Sequence, residues 1–513
     1  MASTPGEGES LEREVKLAVG PDFVVPDLGS AVTGRSPDVQ ELRATYYDTA
    51  DHRLWARGIT LRHRTGEGPR EGCWTMKLPS AATGPTLDRT ELTWEADGRT
   101  VPDGATAIVR GLVRRSPLVP VTRLSTTRRR RSLVDVDGAR WGELDDDAVT
   151  VSGGPNDGLA FRQLEVELTD GSDGDLEAVV ARLRTAGAEP DDGPKLSRAL
   201  GLPPGASGAR RPVPGRRSPV GQVVGAAMAD ALERLLDHDY RMRASAPDLS
   251  PHDVHQARVA TRRLRSDLRT FGAVVDPVWL AHTRDELRWL GEVLGRVRDA
   301  DVLAGHLDAE GDRSPEDDAG RDELRADLAV ARSVRVADLS GVLAGDRYVD
   351  LLDRLHAGVE RPPLVAVRKD GHRVRPTDRA GKVVPSMVGT RWKVLRRRVR
   401  KAGDHPTDRQ LHRIRIGAKQ LRYAAEAAVP VIGKPARRTA AAAEALQTVL
   451  GELHDAVVAE AWLREQAGTA SPAGRSTAGR LADQQRRRQV ELRRAWRRGW
   501  SGLDRTSRLA WLD

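Results

Sequence analysis

The spacing of apolar residues changes once along this chain, and that change constrains the fold more than any other feature. Before about residue 200 the pattern alternates in short runs, LEREVKLAV, ATYYDT, ITLRHRT, CWTMKLP, DRTELTWEA, RSLVDVD and FRQLEVEL, divided by Gly-, Pro- and Asp-rich turns. Period two with frequent turns predicts an antiparallel sheet or barrel. Afterwards the period becomes 3.6, as in VVGAAMADALERLLDHDYRMRA and AAAAEALQTVLGELHDAVVAEAWL, which predicts helices packed through one face. Between them PPGASGARRPVPGRRSP has no apolar period and reads as a semi-extended linker. The expected organisation is a β domain over 8–202 with helices at 175–186 and around 103–114, a linker over 203–219, and a helical domain over 220–510.

Charge divides at the same place. Residues 1–200 carry 26 basic and 33 acidic side chains, net −7, whereas 201–513 carry 57 and 41, net +16. The halves should therefore meet different partners. The lone Cys73 excludes a disulfide framework and any multi-cysteine metal centre, as expected in a reducing cytosol. The start is acidic, and no apolar run approaches the ~18 residues of a membrane span. The expectation is a soluble cytoplasmic protein with no membrane partner.

The helical half repeats itself. VHQARVATRRLRSDLRTF at 254–271 aligns with LHRIRIGAKQLRYAAEAA at 411–428, and LGRVRD at 294–299 with LGELHD at 450–455, at offsets of 157 and 156. Two matches at nearly one offset predict two similar helical bundles, about 220–360 and 386–510, on either side of a loop at 361–385.

In the β half, a strand over LEREVKL places Glu12, Glu14 and Lys16 on one face, and Glu165 and Glu167 alternate in QLEVEL. Four carboxylates facing inward repel one another unless cations join them, and hard Mg²⁺ or Mn²⁺ suits such oxygen donors. Basic pairs alternate likewise: Arg62 with Arg64, Arg129 with Arg131, and Arg89 beside Glu91. Only nine of the 83 basic residues are Lys, and Lys16, Lys77 and Lys195 are the three before residue 200. In a chain this rich in Arg, they mark positions suited to a compact ammonium. A charged string like ExExK also occurs on exposed edge strands, and only the ordered set points to a lumen that holds a polyanion with its metal.

Residues 8–200 resemble the CYTH superfamily of triphosphate tunnel enzymes. The carriers are ExExK (Glu12, Glu14, Lys16), YYDT at 46–49, LRHR at 61–64, WTMK at 74–77, RTE at 89–91, the Arg run at 128–131, ELDDD at 143–147, LEVE at 164–167 and PKLSR at 194–198. The resemblance implies an eight-stranded antiparallel β-barrel. It makes Glu12, Glu14, Glu165, Glu167 and Asp147 metal-site or water-orienting carboxylates, and Lys16, Arg62, Arg64, Lys77, Arg89, Arg129, Arg131 and Lys195 phosphate contacts. Which Arg of 128–131 and which Asp of 145–147 face inward stays open, because a one-residue slip reverses each.

In the helical half His255, Arg258, Arg262, Arg265 and Arg269 fall within an arc of about 80° at 100° per residue. His412, Arg415, Lys419 and Arg422 repeat the spacing. A basic stripe is often simply a solvated face, but two repeated stripes with few acids repel themselves unless an anion is present. RWKVLRRRVRK at 391–401 adds more basic residues and no acid. Nucleic-acid binders usually interleave aromatics for stacking, and these stripes contain none. HQARVATRRLR and HRIRIGAKQLR, supported by LGRVRD and LGELHD, resemble CHAD (conserved histidine α-helical) domains, which bind inorganic polyphosphate and often follow a CYTH domain.

The expectation is an α+β multidomain chain, an antiparallel barrel followed by an all-α domain of two repeated bundles. The barrel would hydrolyse inorganic triphosphate or short polyphosphate with Mg²⁺ or Mn²⁺, and the helices would bind polyphosphate and bring the protein to polyphosphate granules. Two other readings remain open on the residues alone, a non-catalytic polyphosphate-binding protein and a nucleic-acid-binding helical domain.

Overall fold

The computed structural model describes residues 13–28, 37–66, 72–79, 89–135, 137–169, 172–191, 193–203, 212–308, 315–369, 372–505 and 509–512. The chain forms two compact units, 1–210 and 211–513.

The first unit contains β1 (Arg13–Val19), β2 (Asp38–Asp48), β3 (Thr60–Thr65), β4 (Cys73–Pro79), β5 (Arg89–Trp94), α1 (Asp103–Val113), β6 (Val119–Val134), β7 (Arg140–Ser152), β8 (Ala160–Leu168), α2 (Asp173–Thr185), β9 (Glu189–Pro190) and α3 (Lys195–Leu200). They form one antiparallel sheet ordered β5-β4-β3-β2-β6-β7-β8-β1-β9. The expected barrel of eight strands is thus a nine-stranded sheet, and no ladder closes β5 onto β9 among the described residues. The sheet nevertheless curls around a lumen, since one cavity of about 210 Å³ is lined from β1 through β8 and by α3.

Its polarity is the reverse of an ordinary small barrel, whose interior is filled by apolar side chains. The outer face of β1, β7 and β8 carries Leu17, Leu144, Leu164 and Val166, packed beneath Leu176, Val179 and Leu183 of α2. Ser172 and Asp175 close a reciprocal capping box at the start of α2. With apolar positions committed outward, every second residue of these strands is delivered to the lumen, where the charged residues converge.

The second unit has α4 (Val220–Ala244), α5 (Pro251–Phe271), α6 (Pro277–Asp308), α7 (Pro315–Ala344), α8 (Asp346–Glu360), a hairpin of β10 (Val367–Lys369) and β11 (His372–Val374), α9 (Ala380–Ala402), α10 (Asp408–Ile432), α11 (Lys434–Gln466) and α12 (Pro472–Leu503). The segment read as a loop at 361–385 therefore holds a hairpin and the first turn of α9. Part of the expected linker packs too: the amides of Ala380 and Gly381 donate to the carbonyls of Ser218 and Arg216. The repeat is visible in the packing. Helices α4, α5, α6 and α7 correspond to α9, α10, α11 and α12, and each touches its counterpart. The apolar strip of α5 (Val254, Ala257, Leu264, Leu268) and that of α10 (Leu411, Ile414, Ala418, Leu421) are buried. This leaves the adjoining basic stripes at the junction of the two copies.

Candidate functional site

Strand pairing assembles the lumen row by row. Lys16 pairs with Glu165 across β1–β8, Glu165 with Asp145 across β7–β8, and Asp145 with Arg130 across β6–β7. Glu14, Glu167 and Glu143 form a second row, and Gln163, Asp147 and Arg128 a third. The other wall brings Arg62 and Arg64 from β3, Lys77 from β4 and Glu91 from β5, with Lys77 and Glu91 paired at 2.7 Å.

At the centre Arg128 binds Asp147 through both ends of its guanidinium fork and also reaches Glu165 at 3.3 Å. Lys195, at the start of α3, lies 2.7 Å from Asp147 and 2.8 Å from Glu165. Burial would push the Glu165 carboxyl up, but Lys195, Lys16 and Arg128 outweigh it and hold the group well below the usual carboxylate range. Burial would lower Lys195, yet Glu165 and Asp147 raise it. Both groups are thus charged at neutral pH.

Glu14, Lys16, Asp147, Glu165, Glu167, Arg62, Arg64, Lys77 and Lys195 all line the cavity. Arg129 and Arg131 do not; Arg128 and Arg130 take their places, because buried Leu124 and Thr126 fix the inward parity of β6 and leave Arg129 exposed. Asp145 joins Asp147 inside, while Asp146 turns outward onto Arg162. Glu12 and the Arg89 side chain lie outside the described residues, although Arg89 opens β5 opposite Pro79.

In the helical unit the two stripes meet. Arg258 and Arg262 of α5 and Arg415 and Lys419 of α10 each feel the others' charge. Burial, then Arg262, Arg415 and Arg258, push the Lys419 ammonium down to about 6, offset only in part by Asp455. The Nε atoms of Arg258, Arg262 and Arg415 and Nδ1 of His412 are buried without a hydrogen-bond partner. Unpaired buried polar groups are costly, and an acceptor from solvent or a ligand would satisfy the guanidinium donors here. Burial and neighbouring arginines push His255 and His454 down to about 4. Beyond the junction Arg269 lies near Arg284, Arg391 and Arg398. Arg265 faces Arg284 and Arg288. Arg422 departs from the stripe, for Glu426 and Glu444 hold its guanidinium.

Comparison with known proteins gives the family. The CYTH domain profile matches residues 10–190 and the CHAD domain profile residues 226–464. An uncharacterized protein of Mycobacterium tuberculosis is 34% identical over 510 residues, covering 92% of this chain and 92% of its own. This chain belongs to the proteins in which a CYTH domain precedes a CHAD domain. Among solved structures, the CHAD domain from the plant Ricinus communis is 26% identical at a TM-score of 0.45, covering 58% of this chain and 97% of its own. PptA from Streptomyces chartreusis is 19% identical at the same TM-score, covering 55% and 100%.

The CYTH domain is a triphosphate-tunnel fold, and such proteins are typically metal-dependent. The donors here fit a hard divalent cation: Glu14, Asp145, Asp147, Glu165 and Glu167 offer only oxygen. Six acidic and seven basic side chains line the cavity, so its charge nearly cancels. A triphosphate-type anion entering alone would meet little net attraction, whereas one carrying a divalent cation would satisfy both sets.

The CHAD domain explains its second motif. A Cβ on Gly295 of LGRVRD would stand 3.2 Å from Arg258 Nη2, and one on Gly451 of LGELHD 3.8 Å from Arg415 Nε. The guanidiniums of Arg258 and Arg415 thus lie against α6 and α11 beside these glycines, the approach being tight at Gly295 and of ordinary contact distance at Gly451. Asp299 and Asp455, the aspartates closing those motifs, act on Arg258 and Arg415. Sequence reasoning used the motifs only as repeat markers and did not single out Arg128, Arg130, Asp145, Arg284 or Arg288. The spacing of Arg258 to Gly295 and of Arg415 to Gly451, nearly equal at 37 and 36 residues, was the available signal for the glycine contacts.

No described helix is long and apolar enough to cross a membrane.

Proposed function

We propose that the CYTH domain hydrolyses inorganic triphosphate or short polyphosphate with Mg²⁺ or Mn²⁺, and that the CHAD domain binds inorganic polyphosphate. The observation that carries the first reading is the facing of carboxylates and cations in one lumen lined by eight strands. Arg62, Arg64 and Lys77 on one wall, with Arg128, Arg130 and Lys195 opposite, would hold the phosphoryl oxygens and fix the chain in line for displacement. Glu14, Glu165, Glu167, Asp145 and Asp147 would hold the cation and orient the attacking water. When bound, the divalent cation neutralises phosphoryl charge and lowers the pKa of its water. Binding would loosen the present ion pairs, as Lys195 and Arg128 turn from Asp147 and Glu165 toward phosphate.

For the CHAD domain the carrying observation is the Arg258, Arg262, Arg415 and Lys419 junction with its unpaired donors. Its cations are not interleaved with aromatics, which favours a phosphate chain over single-stranded nucleic acid.

Phosphate release from triphosphate by the full chain with Mg²⁺ or Mn²⁺ tests the first half. The Glu14→Ala/Glu165→Gln variant should lose at least ~100-fold in kcat, the scale of a removed electrostatic or acid–base contribution. Equal rates would reject hydrolysis in the lumen, and absence of turnover in the unaltered chain would make the tunnel a binding site. Competition tests the second half: long-chain polyphosphate should displace single-stranded DNA at matched phosphate and salt. Failure to displace it would favour nucleic acid.

A further inference from the structure

We propose that His238, His252 and Asp253 form a binding site for a divalent transition-metal ion of the zinc class, separate from the tunnel and from the phosphate-facing stripes. His238 lies near the end of α4, and His252 and Asp253 in the first turn of α5. Ser250 accepts from the Asp253 amide and Pro251 opens the helix, which fixes that turn against α4. The three residues each present a ligand atom within 4.8 Å of the others. His238 Nδ1 is 2.7 Å from Asp253 Oδ1, and the imidazoles of His238 and His252 meet edge to face at 5.8 Å.

Tetrahedral zinc with bonds of about 2.0–2.1 Å needs ligand atoms roughly 3.4 Å apart. The widest gap, at most 4.8 Å, must therefore close by little more than about 1 Å, while the 2.7 Å His238–Asp253 hydrogen bond opens slightly and gives way to a shared ion. The residue free to make that movement is His252, which is exposed. His238 and Asp253 are largely buried, at 15% and 13% side-chain exposure, and held by each other. Two anchored ligands and one swinging ligand give the ion both a seat and a way in.

Ligand chemistry sets the ion class. Two imidazoles and a carboxylate select zinc-like ions over Mg²⁺, while the all-oxygen donors of the tunnel have the opposite preference. Three protein ligands leave a fourth position for water or an anion. His252 lies one helical turn before His255, the first residue of the α5 stripe.

Zinc titration of the full chain by calorimetry, in excess Mg²⁺ and a buffer free of phosphate, tests this. The Glu14→Ala/Glu165→Gln background removes tunnel ligands. One site of micromolar or tighter affinity is expected there, weakened at least tenfold by His238→Ala and by His252→Ala and unchanged by His405→Ala, an exposed histidine between α9 and α10. Zinc should raise the thermal midpoint of the parent and not that of His252→Ala, whose exposed side chain makes misfolding a poor explanation. No zinc binding by the parent, or affinity unchanged in the two cluster variants, overturns the proposal.

Discussion

Arg128 and Asp147, directly opposed across β6–β7, form a two-pronged ion pair with Nε–Oδ1 at 2.8 Å and Nη2–Oδ2 at 2.7 Å. Asp147 is fully buried and Arg128 nearly so. Removing one partner from such a pair strands a buried charge, whereas an exposed neighbour is energetically idle. Arg128→Met should therefore lower unfolding stability by about 3 kcal/mol, while Arg129→Met should change it by less than about 0.5 kcal/mol. Urea denaturation reads both, and equal losses would contradict the inward parity of Arg128.

Lys77 lines the lumen and pairs with Glu91 at 2.7 Å, so its loss should strike the ligand more than the fold. Lys77→Met should raise KM for triphosphate about 10- to 100-fold, the worth of one or two charge-assisted contacts. Steady-state kinetics with saturating Mg²⁺ checks it. A change confined to kcat would move Lys77 from ground-state binding to a contact made only in the transition state.

Lys419 gives the CHAD domain a pH dependence with a definite sign. Its folded pKa of about 6 lies below the ordinary 10.5, so between these values the unfolded chain binds more protons, and this group's contribution to stability grows as pH rises. A bound polyanion reverses the preference by favouring the ammonium. Polyphosphate binding should take up protons near pH 7 and tighten from pH 8 toward pH 6 by up to about tenfold per unit for one proton. Lys419→Arg, charged throughout, should flatten that window in calorimetry run in buffers of different ionisation enthalpy.

Arg415 and Arg422 occupy the same stripe in sequence but not in chemistry. Arg415 has an unpaired buried Nε, while Arg422 already binds Glu426 and Glu444. Arg415→Ala should weaken polyphosphate binding at least about tenfold, one charge-assisted contact being worth about 1.4 kcal/mol or more. Arg422→Ala should change it less than about twofold. Equilibrium binding at one fixed salt concentration separates them, and equal losses would mean that the anion displaces Glu426.

Alternation and the 3.6 period made the sheet, the helices and most lumen residues legible, because burying an apolar face sets the direction of every neighbour. Arg129 and Arg131 were misassigned where that logic lacks a handle: RRRR and DDD contain no apolar residue to mark parity, which was set instead by Leu124 upstream and by partners on β7. Lys16, Lys77 and Lys195 stand out because Lys is scarce in this Arg-rich chain. The meeting of α5 with α10 depends on tertiary packing between distant segments. Their repeat was visible, but its consequence, four cations sharing one place, was not.

That meeting makes the duplication indivisible in function. Each copy of the CHAD repeat contributes two of the four junction cations, Arg258 and Arg262 from one, Arg415 and Lys419 from the other. Severing the backbone within 361–379 would leave two fragments that hold complementary halves of a single site. Neither half alone could display the complete four-cation arrangement, and only their reassociation would restore it.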